Sequence, residues 1–160
     1  MKTFTTADIH DADPAKASVC ETQFRTFGRI VTFGGPCTTV KIYEDHRQLK
    51  ELVATPGAGR VLVIDGGASP RVGLMGDGMA ETAMRNGWAG AVIFGAIRDS
   101  VAIDELEFGV KALFTTSRRA CALVQSQRDI PVTFGNVTFQ PGDWVYADAD
   151  SVLVRKEKFT

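Results

Sequence analysis

The feature that most constrains this chain is a pair of short, nearly unbroken apolar runs, VLVID at 61–65 and AGAVIFGAI at 89–97, on either side of a helix-type segment. A strand that is apolar at every position must be buried on both faces, the condition of a parallel strand inside an α/β sheet. Gly66-Gly67 ends the first run and a connector spans 68–75. Gly76-Asp77-Gly78 then opens a helix expected from Gly78 to about Arg85. Met79 with Ala83, and Ala80 with Met84, make i, i+4 pairs on its core side, and Asn86-Gly87 stops it. Residues 61–97 thus read as a strand–helix–strand crossover, right-handed by the general rule. The second run ends in Arg98-Asp99, two opposite charges at a strand's carboxyl end. Open α/β sheets place their ligands there.

The remaining segments supply a frame for this unit. In TTADIHDAD (5–13), Thr5 or Thr6 is a candidate N-cap and Pro14 ends the helix; Asp8, Asp11 and Asp13 read as acids favoured near a helix N-terminus by its dipole. Glycines bracket an apolar run at 27–35, TTVKIY (38–43) reads as a strand, and Asp45 caps a helix through about Ala54 with Leu49, Leu52 and Val53 at core spacing. Pro56-Gly57-Ala58-Gly59 breaks the chain before the first run. Beyond Asp99, residues 100–108 read as a short helix begun by Ser100, and Val110–Thr115 as a strand, while 117–129 shows no readable period. In the tail, IPVTFG, VTFQ, WVYAD and SVLVR alternate with Gly135-Asn136, Pro141-Gly142-Asp143 and Asp148-Ala149-Asp150. That is hairpin chemistry, so the tail packs on the sheet or extends it.

Length and charge close off several functions. A chain of 160 residues with 44% apolar residues is expected to fold as a single domain over 1–160. A net charge of −1 offers neither nucleic acid nor an anionic membrane a basic face. No apolar run approaches the roughly 20 residues of a membrane span, and the N-terminal segment has no signal-peptide h-region. Cys20, Cys37 and Cys121 are scattered without CxxC spacing, which fits a reducing, cytoplasmic setting. Cys37 and Cys121 are expected to be small buried apolar residues, and His10 and His46 surface positions, for lack of HxH or HExxH spacing.

Two readings fit the central stretch. In one, Asp77 precedes the helix and caps it, and Arg98-Asp99 is a solvated pair. In the other, the amides of Gly78 and Met79 face a ligand at the helix N-terminus. Arg98 then offers a fork for a carboxylate and Asp99 an oxygen ligand for Mg²⁺ or Mn²⁺, a pairing that would chelate a 2-oxo acid. A bend at the strand end would have to aim both side chains into one pocket.

Over nearly its whole length the chain resembles the family of the regulator of ribonuclease activity A and the 4-hydroxy-4-methyl-2-oxoglutarate aldolases. The resemblance is carried by TADIHDA, FGRIVTFGGP, TTVKIYED, GRVLVIDGGAS, the 76–99 stretch and VTFGNVTFQPGDWVYADADSVLV. Its most specific element is an aspartate, twenty intervening residues, then Arg-Asp: here Asp77 and Arg98-Asp99. The resemblance implies an α/β fold, a swivelling-domain-type β/α sandwich with a β-rich C-terminal segment. It also implies a substrate loop of Gly76, Asp77, Gly78 and Met79, with Arg98 and Asp77 catalytic, Arg98 on the substrate carboxylate, and Asp99 holding a divalent metal. The implied reaction is retro-aldol cleavage of 4-hydroxy-4-methyl-2-oxoglutarate to two pyruvates, with oxaloacetate decarboxylation as a side activity, in a homotrimer with sites near subunit boundaries. The alternative it implies is a non-catalytic regulator that binds and inhibits ribonuclease E. Departures from the family pattern are Gly78 in place of a larger residue, missing glycines across 117–129, Asn136 and Ser151 in place of glycines, and an early end after the last strand. A demethylmenaquinone methyltransferase, a third label for such sequences, is not expected: no glycine-rich loop follows a first strand with a ribose-binding acid beyond it.

Overall fold

The computed structural model describes residues 3–160. The chain opens with α1 (Thr6–Ala12), whose N-cap Thr5 and Asp8 exchange hydrogen bonds in a capping box, the Thr5 hydroxyl accepting from the Asp8 amide at 3.0 Å. A single 3-10 turn (Pro14–Lys16) leads to β1 (Ser18–Val19), β2 (Arg25–Phe27), β3 (Phe33–Lys41) and α2 (Arg47–Val53). Next come β4 (Val61–Asp65), β5 (Gly73–Met75), α3 (Asp77–Arg85), β6 (Gly90–Ile97), α4 (Ser100–Asp104) and β7 (Val110–Thr115). The tail holds β8 (Gln127–Arg128), β9 (Val132–Phe134), β10 (Val137–Phe139), β11 (Trp144–Ala147) and β12 (Val152–Arg155). Among the described residues no helix is long and apolar enough to cross a membrane.

Ten strands form one mixed sheet in the order β1-β12-β11-β3-β4-β6-β7-β2, with β5 added beside β6 and β8 beside β3. β3, β4, β6 and β7 are mutually parallel, and the outer pairings are antiparallel. The fold is therefore α/β with a β-rich C-terminal segment, and the tail does both things expected of it. β11 and β12 extend the sheet through β3, while β9 and β10 form a separate hairpin turned at Gly135 and Asn136, both at positive φ.

The unbroken apolar runs are explained by burial on two sides. Leu62 and Ile64 of β4, with Ala91, Ile93 and Ile97 of β6, pack in one cluster with Leu49, Leu52 and Val53 of α2, Ala80 and Ala83 of α3 and Ile103 of α4. The alternate residues Val61, Val63 and Val92 pack in a second cluster with Phe134, Phe139 and Val145. Helices α2, α3 and α4 thus cover one face and the β9–β10 hairpin helps cover the other.

A buried cation closes the curl of the sheet. Lys111 of β7 is only 3% exposed, and its ammonium donates to the Thr26 hydroxyl on β2 at 2.6 Å and to the Asp148 carbonyl in the β11–β12 turn. In the strand order β7 and β11 are four places apart, so the sheet must curl into a half-barrel for this contact to form. Burial lowers the Lys111 pKa, opposed by Asp148 and Asp150. The Asp148 carboxylate ties in the N-terminus, accepting from the Thr6 amide (2.7 Å) and hydroxyl (2.9 Å) and from the amides of Asp150 (2.9 Å) and Ser151 (3.2 Å). Burial pushes its carboxyl up, but these hydrogen bonds outweigh burial and leave it below the usual carboxylate value.

Several expectations need correction. β3 begins at Phe33 rather than 38, because its first half pairs with β11 before its second half joins β4. The 68–75 connector contains β5, too short to show a period. α2 starts at Arg47, with the Asp45 carboxylate accepting from the Arg47 amide at 3.0 Å, and α4 stops at Asp104. Cys37 is buried and its thiol pushed up to about 11, chiefly by burial, but Cys121 is exposed because its irregular segment runs over the surface.

Replacing Asp148 with Ala orphans several buried donors and is expected to cost about 2–4 kcal/mol in urea denaturation at pH 7. Because the folded carboxyl lies below its unfolded value, its stabilisation is complete above about pH 4 and is lost as pH falls through the lower folded value. The wild-type advantage over the variant should therefore shrink as denaturation is repeated toward pH 3.

Candidate functional site

The site is made by two parallel strands that end together. β5 pairs with β6 through Gly73↔Ala96 and Met75↔Ile97, and the Arg98 amide continues the pairing by donating to the Met75 carbonyl at 3.0 Å. Two glycines on the β5 side make room for the charges on the β6 side. A Cβ on Gly73 would lie 2.8 Å from both Cβ and Cγ of Arg98, and one on Gly76 would lie 2.8 Å from Asp99 Oδ2. Asp99 itself sits in the left-handed region (φ 56°, ψ 41°), which aspartate tolerates better than most residues. This turn is the bend the two side chains required: Arg98 and Asp99 line the same concavity.

The helix boundary shifts the role of Asp77. It is the first residue of α3 rather than the residue before it, and the N-cap is Gly76, which has no side chain to offer. The capping carboxylate comes from across the site: Asp99 Oδ2 accepts from the Asp77 amide at 3.4 Å, at the positive end of the helix. Asp77 Oδ1 accepts from the Gly78 amide at 2.9 Å, within the first turn of α3. Arg98 Nε stands 3.8 Å from Asp99 Oδ2, a loose pairing of two side chains each about one-third exposed.

The concavity has a volume of about 530 Å³ and is lined by Gly76, Asp77, Gly78, Met79, Arg98 and Asp99. Asp77, Arg98 and Asp99 also border a second, more open hollow of about 680 Å³ beside Ser100, Val101 and Thr116, so they form the divide between two openings. Other wall residues were missed in the sequence. His46, Lys50, Val53 and Ala54 of the α2 region line the first concavity, as does Arg119. His46 is therefore half-buried in a pocket wall and not simply a surface position. The signal was present at 46, 50, 53 and 54, which share a helix face, whereas Arg119 lies in a stretch without periodicity.

Among the described residues, no group of three or more His, Cys, Asp and Glu side chains gathers as a metal cage. A structural zinc site, with four protein ligands, does not fit this arrangement. An accessible carboxylate on Asp99 with Asp77 beside it fits a hard cation such as Mg²⁺ or Mn²⁺, which takes one or two carboxylates and completes its shell with water and substrate oxygens.

Residues 6–154 match a family model described as RraA-like, aldolase/RraA. The chain is 43% identical over 151 residues, 94% of each sequence, to a protein of Alkalilimnicola ehrlichii provisionally named 4-hydroxy-4-methyl-2-oxoglutarate aldolase. It is 46% identical over 134 residues to a protein of Halorhodospira halophila with the same provisional name, spanning 84% of this chain and 82% of that one. Among solved structures it is similar to a Geobacillus kaustophilus protein described as an S-adenosylmethionine:2-dimethylmenaquinone methyltransferase, with TM-score 0.95, 39% identity and coverage of 98% and 97%. It is similar also to the RNA-processing inhibitor RraA from Thermus thermophilus, with TM-score 0.94, 31% identity and coverage of 99% and 96%.

The glycines of the site should respond oppositely to substitution. A Cβ on Gly78 meets open space, so Gly78→Ala is expected to stabilise the protein by about 0.5–1 kcal/mol through helix propensity. Gly73→Ala drives a methyl into Arg98 and is expected to cost about 1–3 kcal/mol. Thermal unfolding of the two variants beside wild type reads both signs.

Proposed function

Because this chain belongs to the aldolase/RraA family, we propose that it is a divalent-cation-dependent carbon–carbon lyase. In this reading it cleaves 4-hydroxy-4-methyl-2-oxoglutarate to two pyruvates and, secondarily, decarboxylates oxaloacetate. The observation that carries the reading is the meeting of Arg98 and Asp99 with Asp77 at the N-terminus of α3, beside a concavity of metabolite size. The provisional aldolase name of relatives above 40% identity supports it.

In this mechanism Arg98 holds the C1 carboxylate of the 2-oxo acid in its guanidinium fork. Asp99 holds the cation, which when bound supplies Lewis-acid polarisation at the 2-oxo oxygen. Cleavage breaks the C3–C4 bond after the C4 hydroxyl loses its proton; the bonding electrons move to the C2 oxygen, giving pyruvate enolate, C4 leaves with its methyl group and C5 as the second pyruvate, and the enolate takes a proton at C3 to become the first. Arg98 and the positive end of α3 stabilise that developing charge. Asp77 is held through Oδ1 by the Gly78 amide, and in this reading its other oxygen takes or passes on the proton. Oxaloacetate decarboxylation uses the same holding of the 2-oxo acid and yields the same enolate. A homotrimer, with a neighbour bordering the site, belongs to the same reading.

The second reading is a regulator that binds ribonuclease E, favoured by the 0.94 TM-score to an RNA-processing inhibitor. Methyl transfer is not part of the proposal, since β3 leads into Ile42-Tyr43-Glu44-Asp45 with no glycine-rich turn for a nucleoside cofactor.

Pyruvate release from both substrates should require Mg²⁺ or Mn²⁺, stop on chelation, and fall by at least about 100-fold in Asp99→Ala. A folded wild-type protein that releases no pyruvate with either metal would sink the lyase reading, and ribonuclease E binding would then be measured.

A further inference from the structure

The concavity is more cationic than a monocarboxylate requires. Beside Arg98 it is lined by Lys50 and Arg119, with His46 adjacent, against the carboxylates of Asp77 and Asp99. Neither Lys50 nor Arg119 has an ion-pair partner among the described residues, and both line the concavity. These cations stand on two different walls. Arg98 and Arg119 flank Gly73: the Arg98 side chain passes the glycine's Cα, and Arg119 bridges to its backbone. His46 and Lys50 come from the α2 wall, one helical turn apart, in line with the apolar Val53 and Ala54.

A ligand whose first carboxylate lies on Arg98 shares the concavity with a second cation on the α2 wall, beside the apolar Val53 and Ala54. We propose that Lys50, with His46 beside it, is a specificity-determining residue that reads the distal carboxylate of a short 2-oxo dicarboxylate. The α2 wall then makes the pocket select C4–C5 dicarboxylates over pyruvate-type monocarboxylates. The inference rests on the reading of Arg98 as the anchor of a 2-oxo acid. It assigns to α2 a role separate from bond cleavage: Lys50 neither touches the reacting carbons nor holds the cation. A lysine suits it, since a point charge on a flexible stem can follow carboxylates at slightly different distances. Such an exposed charge should steer binding more weakly as salt is raised.

The test is calorimetric binding of 2-oxoglutarate, a dicarboxylate that lacks the 4-hydroxyl needed for cleavage, and of pyruvate, both with Mg²⁺. Wild type should bind 2-oxoglutarate about tenfold more tightly than pyruvate. Lys50→Ala should bring the two affinities within about twofold by weakening the dicarboxylate alone, and Lys50→Arg should restore most of the preference. Because Lys50 is exposed, the variants should unfold at the wild-type temperature. If Lys50→Ala keeps the wild-type preference, or weakens both ligands equally, the assignment of Lys50 is overturned while the 2-oxo acid reading stands. If wild type binds neither ligand, the reading of Arg98 fails and the α2 subsite fails with it.

Discussion

The close approach of β5 to β6 is the constraint on which the rest of this molecule depends. A side chain on Gly73 would strike Arg98 and one on Gly76 would meet the Asp99 carboxylate, so a glycine in β5 and another just after it leave room for the two charges that follow β6. Once they lie there, the Asp99 carboxylate reaches the first amide of α3, and Asp77 is drawn in by the same contact. A left-handed residue at Asp99 is the accompanying strain. It is held by what surrounds it: Arg98 bonded to Met75 behind and the first turn of α4 ahead, where the Ile103 amide bonds back to the Asp99 carbonyl at 3.0 Å.

The frame keeps this junction rigid from both sides. β4 and β6 are buried on two faces, so neither can shift register without exposing one apolar set and stranding the other. Lys111 and Asp148 then link β2, β7, α1 and the β11–β12 turn, setting the curl of the sheet. Burying an ammonium is costly unless it is fully bonded, and here its hydrogen bonds to Thr26 and Asp148 offset the cost. The helices are short because they cover a curled sheet. The N-termini of α3 and α4 lie at the carboxyl ends of β5 and β6, where Asp77, Arg98 and Asp99 come together.

Much of this was legible in the residues, for identifiable reasons. VLVID and the run to Ile97 announce themselves because double-sided burial removes polar residues from a strand, and Gly135-Asn136 marks a hairpin because both positions need positive φ. The Asp77 to Arg98-Asp99 spacing picked out three residues that line one concavity in the structure. What the residues did not reveal depends on tertiary partners. Three residues of β5 carry no period, and a one-residue shift at the helix start made Gly76 the N-cap and left the capping to Asp99. His46 read as a surface position, and Lys50 carried no reading, until α2 was seen to form a wall of the concavity. Cys121 fell on the surface because its segment lacks the regular structure that would have buried it.

The central claim is that the Asp99 carboxylate, beside Arg98 and at the N-terminus of α3, is where a divalent cation and a 2-oxo acid meet. Crystals grown with Mn²⁺ and oxalate, a stable mimic of pyruvate enolate, would test it directly by anomalous scattering at the manganese edge. The account predicts one strong peak against an Asp99 oxygen, with an oxalate carboxylate on the Arg98 guanidinium. Manganese found only at other carboxylates, with Asp99 still bonded to the Asp77 amide and oxalate away from Arg98, would contradict it.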